Sequence, residues 1–157
     1  MSDSVAIAQV TSGDEVIVHQ VLYIEDNREN RMLVRRILMA SDTDFTITEA
    51  DTGRKGIEIA QHMAPPPDII LMDLSMPEMD GLTATRTLRA LPDLHDIPIV
   101  ALTANVMKGD KERSLEAGCD GYISKPIDID RFPDEVLSYI RSGHERRAKH
   151  PQSSDSD

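Results

Sequence analysis

The chain has 157 residues and carries 28 acidic against 17 basic side chains, so its formal net charge is −11. This length predicts one domain with polar ends, and the acidic balance argues against a nucleic-acid partner, which would need a basic face. The single cysteine excludes an internal disulfide. No apolar run approaches the ~20 residues that span a bilayer, and the start lacks the features of a signal peptide. We therefore expect a cytoplasmic protein with no membrane partner.

Apolar patterning predicts five strands, each followed by a helix. Residues 1–19 are expected to be a flexible leader or linker, and residues 142–157 a disordered polar tail. Between them, the predicted strands cover 21–24, 45–49, 68–72, 97–102 and 120–124, and the helices about 28–40, 53–63, 82–91, 106–117 and 129–141. The fourth helix is weak, because Gly109 within it costs about 1 kcal/mol relative to alanine.

This alternation of strands and helices predicts an α/β domain over residues 20–141. Strands joined by helical crossovers form a parallel sheet that is covered on both faces. The unbroken apolar runs 69–72 and 97–102 agree with that arrangement, because such runs are typical of strands buried on both sides.

A polar side chain follows each of four predicted strands. Glu25 and Asp26 follow the first, Asp73 the third, Thr103 the fourth and Lys125 the fifth. Each has an ordinary alternative explanation: acidic residues favour helix N-termini, threonine caps helices, and a lysine can be a surface charge. The carboxyl ends of parallel strands meet at one edge, however, where open α/β sheets bind ligands. The convergence of all five favours a functional site.

The residue types indicate the chemistry of that site. Carboxylates that repel one another at an edge open to water favour a bound Mg²⁺ ion. A lysine and a hydroxyl beside it suit a phosphoryl group, whose oxygens need cations and hydrogen-bond donors. Asp73 would then be a nucleophile that accepts phosphate as an acyl phosphate.

Four segments carry a family resemblance: VLYIEDN (21–27), IILMDLSMPEMDG (69–81), IPIVALTA (97–104) and GYISKPI (121–127). Together they resemble the CheY-like receiver domain of bacterial two-component response regulators. Residues 104–126 resemble most the single-domain receivers of cell-cycle phosphorelays. The resemblance implies a doubly wound (βα)5, flavodoxin-like fold with a five-stranded parallel sheet in the order 2-1-3-4-5.

The resemblance also implies the metal ligands. Asp26 and Asp73 are expected to bind Mg²⁺ directly, and Glu25 mainly through water. The backbone carbonyl of Ser75 is expected to complete the protein ligands.

The remaining implied roles concern the phosphoryl group and its consequences. Asp73 is the expected phosphoacceptor, Thr103 the hydroxyl that binds the phosphoryl group, and Lys125 its ion-pair partner, with a cis bond to Pro126. Tyr122 occupies the aromatic switch position, although it can equally be a half-buried strand aromatic.

The function expected from the resemblance is that of a response regulator in a phosphorelay. A histidine kinase or histidine phosphotransfer protein would phosphorylate Asp73. The face of the fourth helix, fifth strand and fifth helix would then bind a protein partner, with no DNA-binding output domain and no enzyme activity beyond its own phosphotransfer and slow autodephosphorylation. One alternative is the receiver of a larger hybrid sensor kinase. A more remote one is a Mg²⁺-dependent phosphohydrolase, which would need a second aspartate where Ser75 stands.

Overall fold

A computed structural model describes residues 16–74, 76, 80–104 and 109–149. It contains five strands and five helices in alternation, with a short 3₁₀ turn at Pro92–Leu94. The strands are β1 Val18–Ile24, β2 Asp44–Ala50, β3 Ile69–Asp73, β4 Ile99–Thr103 and β5 Gly121–Ser124. The helices are α1 Arg28–Met39, α2 Gly53–His62, α3 Gly81–Arg89, α4 Asp110–Ala117 and α5 Phe132–Lys149.

The strands form one parallel sheet in the order β2-β1-β3-β4-β5. This confirms the predicted fold class and strand order. All five residues of β3 and of β4 are buried, as expected for central strands that are covered on both faces.

Side chains alternate between two apolar layers because successive strand residues point to opposite faces. One layer packs β1, β3 and β4 against α1 and α5, with Tyr23, Leu71, Val34 and Phe132 among its members. The other joins Leu22, Ile70 and Met72 to residues of α2 and α3, such as Ala60 and Leu88. The sheet is thus covered on both sides, and its carboxyl edge stays open.

Side-chain caps fix where the helices beside that edge begin. Asn27 accepts a hydrogen bond from the Asn30 amide at 2.8 Å before α1, and Asp80 accepts one from the Thr83 amide at 2.8 Å before α3. A capping side chain satisfies an amide that has no partner within the helix. Asn27 directly follows Asp26, and Asp80 precedes Gly81, which lies against the backbone of Asp73.

One feature near α4 differs from the sequence prediction. Gly109 precedes the helix rather than lying inside it, with a positive φ of 84° that suits glycine. The start predicted for this helix, residues 106–108, lies outside the described residues, as does Asn105.

The largest difference is at the end of the chain, where α5 continues to Lys149 instead of ending at Arg141. The prediction of disorder is therefore wrong for residues 142–149. Long-range contacts explain the helix: His144 Nε2 lies 3.0 Å from Asp68 Oδ1, and Arg146 Nη2 lies 3.5 Å from Asp120 Oδ1. Residues 150–157 and 1–15 lie outside the described part, and Val18 and His19 of the predicted leader belong to β1.

Among the described residues, no helix combines the length and the apolar character needed to cross a membrane.

Candidate functional site

Asp73 is the last residue of β3 and lies at the carboxyl edge of the sheet. Only 4% of its surface is exposed. The first residue of α3, Gly81, lies directly against the backbone that carries it, because a Cβ at Gly81 would be 2.3 Å from the Asp73 carbonyl oxygen. Helix α3 can therefore begin this close to the end of β3 only because Gly81 has no side chain.

Glu25 and Asp26 follow β1, next to β3 in the sheet. Asp26 is exposed, whereas Glu25 is only 1% exposed. The Glu25 carboxylate accepts hydrogen bonds from the Tyr23 hydroxyl at 3.0 Å and from the Asn27 amide at 3.2 Å. A buried carboxylate needs such donors, because an unpaired buried charge is costly. Burial and the nearby Glu25 charge raise the pKa of Tyr23 far above its ordinary value, so its hydroxyl stays protonated.

Lys125 reaches both buried acids from the end of β5. Its Nζ lies 3.2 Å from Asp73 Oδ1 and 3.4 Å from Glu25 Oε1. Burial by itself lowers the pKa of Lys125, but the charges of Asp73 and Glu25 and their hydrogen bonds outweigh it, and the net pKa is raised. The ammonium group therefore stays charged, and the expected cis bond to Pro126 is present.

Thr103 ends β4 between the strands that carry Asp73 and Lys125, and it is 3% exposed. The Lys125 amide donates to the Thr103 carbonyl at 2.8 Å, which ties the two strand ends together. A cavity of about 450 Å³ opens at this edge. Its lining includes all five polar residues that the sequence singled out by their positions after the strands: Glu25, Asp26, Asp73, Thr103 and Lys125.

The acidic residues of this cavity can hold a metal ion. Glu25, Asp26 and Asp73 each offer one carboxylate oxygen, and these oxygens lie within 4.8 Å of one another. An all-oxygen set of this kind suits a hard divalent cation. With Lys125 beside three carboxylates, the site also has negative charge left for a cation to neutralise. The fourth predicted ligand, Ser75, lies outside the described residues.

Sequence reasoning missed two residues that shape the site. Arg31 was not among the expected site residues, but its Nη1 donates to the carbonyls of Glu25 at 2.9 Å and Asp26 at 3.1 Å. Tyr23 was treated only as part of an apolar strand. The alternation of side chains along β1 could have indicated Tyr23, because residues 23 and 25 share one face. The position of the Arg31 side chain depends instead on how α1 packs against the sheet.

Tyr122 does not line this cavity. It is half-buried in β5 and packs against the apolar layer beneath α2 and α3. The centroid of its ring lies 5.4 Å from Lys111 Nζ. This position fits both alternatives for Tyr122, a switch residue and a strand aromatic.

A parallel sheet in this order, with an acidic cluster, a hydroxyl and a lysine at its carboxyl edge, defines the receiver class of signalling domain. The model of the response regulator receiver domain matches residues 21–137. The chain belongs to the response regulator receiver family, and this confirms the resemblance found in the sequence.

Relatives and solved structures agree with this assignment. The chain is 40% identical over 120 residues to the polar-differentiation response regulator DivK of Brucella ovis, covering 76% of this chain and 94% of the relative. Because DivK is a response regulator matched over nearly its whole length, the hybrid-kinase alternative is not favoured.

Among solved structures, the receiver domain of a sensor histidine kinase from Pseudomonas aeruginosa PAO1 has a TM-score of 0.72 at 31% identity, with 80% of this chain and 99% of that chain covered. That structure has a magnesium ion coordinated in its active-site cleft. The receiver domain of a histidine kinase from Syntrophus aciditrophicus has a TM-score of 0.67 at 30% identity, covering 79% and 91% of the two chains. The acidic cluster described here fits the expected Mg²⁺ cofactor.

Proposed function

We propose that Asp73 accepts a phosphoryl group from a phosphohistidine on a histidine kinase or phosphotransfer protein. The observation that carries this proposal is the Lys125 ammonium, which lies within 3.4 Å of both buried carboxylates, in a cavity that Thr103 also lines. A nucleophilic carboxylate, a fixed cation and a hydroxyl on one open edge suit the transfer of a phosphoryl group.

The reaction forms one bond and breaks another. A carboxylate oxygen of Asp73 attacks phosphorus, an acyl phosphate forms, and the phosphorus–nitrogen bond of the donor breaks. Its electron pair stays on the imidazole nitrogen of the donor, which takes up a proton. Lys125 holds a positive charge beside the transferred oxygens, and the Thr103 hydroxyl donates a hydrogen bond to one of them. Mg²⁺ held by Glu25, Asp26 and Asp73 would neutralise charge on the phosphoryl oxygens.

Phosphorylation then changes the surface formed by α4, β5 and α5. A covalently attached phosphoryl group draws the Thr103 hydroxyl towards it, and α4 is the helix that follows β4 in the chain. Helix α4 is suited to move because it has only 8 residues, and short elements with little buried surface belong to the least stable parts of a fold. A protein partner distinguishes the two forms through this surface, with Tyr122 as the aromatic that responds.

The protein therefore acts as a signalling module rather than as an enzyme for an external substrate. Its chemistry is its own phosphotransfer and the slow hydrolysis of its own acyl phosphate. The cytoplasmic location, the lack of a nucleic-acid partner and the limits of the receiver at residues 20–141 stay predictions.

An Asp73→Asn variant tests the proposal, because the amide is nearly isosteric but a poor nucleophile. With a radiolabelled phosphohistidine donor and Mg²⁺, the wild type should acquire an acid-stable, base-labile label that the variant lacks. An Asp80→Asn variant is the matched control, since Asp80 is an exposed helix cap. Equal labelling of wild type and Asp73→Asn would refute the proposal.

A further inference from the structure

Tyr23 places a hydroxyl inside the acidic site from beneath. The side chain is fully buried, with 0% exposure, and its hydroxyl donates to Glu25 Oε1 at 3.0 Å. Residues 23 and 25 lie on the same face of the chain as it leaves β1. Because the ring packs in the core between the sheet, α1 and α5, the hydroxyl is held in place by the surrounding apolar side chains.

The hydrogen bonds of Glu25 divide unequally between its two oxygens. Oε1 accepts from the Tyr23 hydroxyl and from Lys125 Nζ, at 3.0 and 3.4 Å, while Oε2 accepts from the Asn27 amide at 3.2 Å. An ionised carboxylate offers about four acceptor positions, two on each oxygen. Among the described residues, both positions on Oε1 are taken, and Oε2 keeps one acceptor position.

We propose that Tyr23 determines cation specificity by leaving Glu25 one oxygen with which to hold the metal, through a bound water rather than in bidentate fashion. Ca²⁺ takes six to eight oxygen ligands and uses carboxylates in bidentate fashion, whereas Mg²⁺ requires octahedral geometry and retains several waters. A glutamate limited to one oxygen therefore disfavours Ca²⁺ more than Mg²⁺. This inference rests on the proposed function, since it concerns the same metal-dependent site.

Lys125 cannot replace Tyr23 in this role. Its ammonium is shared with Asp73 at 3.2 Å, and its side chain is 24% exposed at the mouth of the site. In the unphosphorylated protein, which is the form that binds the metal first, Lys125 takes only the second acceptor position on Oε1. Tyr23 is the donor to Oε1 that stays in place whatever occupies the cavity above it.

The test compares Mg²⁺ and Ca²⁺ affinities in a Tyr23→Phe variant, which removes the hydroxyl and keeps the buried ring. Isothermal titration of each ion into the unphosphorylated full-length chain gives the ratio of the two dissociation constants without any phosphotransfer. We expect the preference for Mg²⁺ over Ca²⁺ to fall about fivefold, which is the change in equilibrium that one net hydrogen bond produces. A Tyr139→Phe variant is the matched control. The Tyr139 hydroxyl bonds to the backbone of Tyr122, outside the acidic cavity, so this variant should leave the ratio of the two dissociation constants unchanged.

Repeating the comparison in a Glu25→Ala protein shows whether the Tyr23 hydroxyl acts on metal binding through Glu25. In a Glu25→Ala protein, the additional Tyr23→Phe change should leave the ratio unaltered, since the pair no longer exists. An equal shift with and without Glu25, or an unchanged ratio in Tyr23→Phe while the wild type binds Mg²⁺, would overturn the inference alone. A wild type that binds neither ion would overturn it together with the proposed function.

Discussion

Replacing Gly81 by alanine should damage both the fold and the site, because the new methyl group has no space. A Cβ at this position would lie 2.3 Å from the Asp73 carbonyl oxygen and 2.7 Å from Leu74 Cα. Carbon atoms normally pack at about 3.5–4.0 Å, so the start of α3 and the end of β3 must separate by roughly 1 Å. Both contacts are with backbone, so rotation of a side chain cannot relieve them.

The cost follows from this geometry. Overpacking typically destabilises by about 1–3 kcal/mol, and the upper part of that range applies where the opposing atoms are backbone. The better helix propensity of alanine returns up to about 1 kcal/mol. We therefore expect a net loss of about 2 kcal/mol in the free energy of unfolding. In urea this lowers the transition midpoint by about 1 M, for a slope of about 2 kcal/mol per molar.

Urea denaturation followed by circular dichroism measures this loss, and titration with Mg²⁺ measures the displacement of Asp73. Thr83→Ala is the control, since Thr83 is exposed on the same helix and a surface change there should stay within about 0.5 kcal/mol. If Gly81→Ala kept the wild-type midpoint and the wild-type Mg²⁺ affinity, the close approach of α3 to Asp73 would be refuted.

Three further predictions concern the residues around Asp73 and the core beside it. Lys125→Met removes the cation shared by Asp73 and Glu25, so it should destabilise the metal-free protein by about 2 kcal/mol; added Mg²⁺ should restore part of the loss. Burial raises the pKa of Cys119 from 9.0 to about 11. The stability linked to this thiol is thus fully present below pH 9.0 and is lost as the pH rises through 11, by about 3 kcal/mol in total. Thr103→Ala should still accept a phosphoryl group but bind a partner equally well in both states.

Each of these has a direct check. Thermal melts of Lys125→Met with and without Mg²⁺ should differ more than those of the wild type, and an equal response of the two proteins would contradict the charge argument. The alkaline loss of stability should be smaller in Cys119→Ala; identical pH profiles would show that the thiol does not titrate as argued. A Thr103→Ala protein that still distinguished its partner by phosphorylation would exclude Thr103 as the switch residue.

The parallel sheet and its functional edge were predictable from the sequence because the central strands are almost entirely apolar, whereas the strand order came from the family resemblance. Residues 69–72 and 97–102 are continuous apolar runs, and the polar residues that end them mark the functional edge. The five residues chosen by their positions after the strands all line one cavity. Local composition was sufficient here because strand ends in a parallel sheet converge regardless of how the helices dock.

Features that depend on docking were not predictable. Helix α5 continues beyond Arg141 because His144 and Arg146 meet Asp68 and Asp120, which are distant in sequence. No local pattern in this polar segment indicates that it would contact those two aspartates. Likewise, no local pattern singles out Arg31, and only the packing of α1 turns it towards the carbonyls of Glu25 and Asp26.

The central claim is that Asp73 is the residue that becomes an acyl phosphate in a magnesium-dependent reaction. Borohydride reduction of the phosphorylated protein converts an aspartyl phosphate into homoserine, and peptide mass spectrometry then locates it. We predict homoserine at position 73, formed only when Mg²⁺ is present during phosphorylation. Homoserine at Asp26 or at another aspartate, with Asp73 unmodified, would contradict the account.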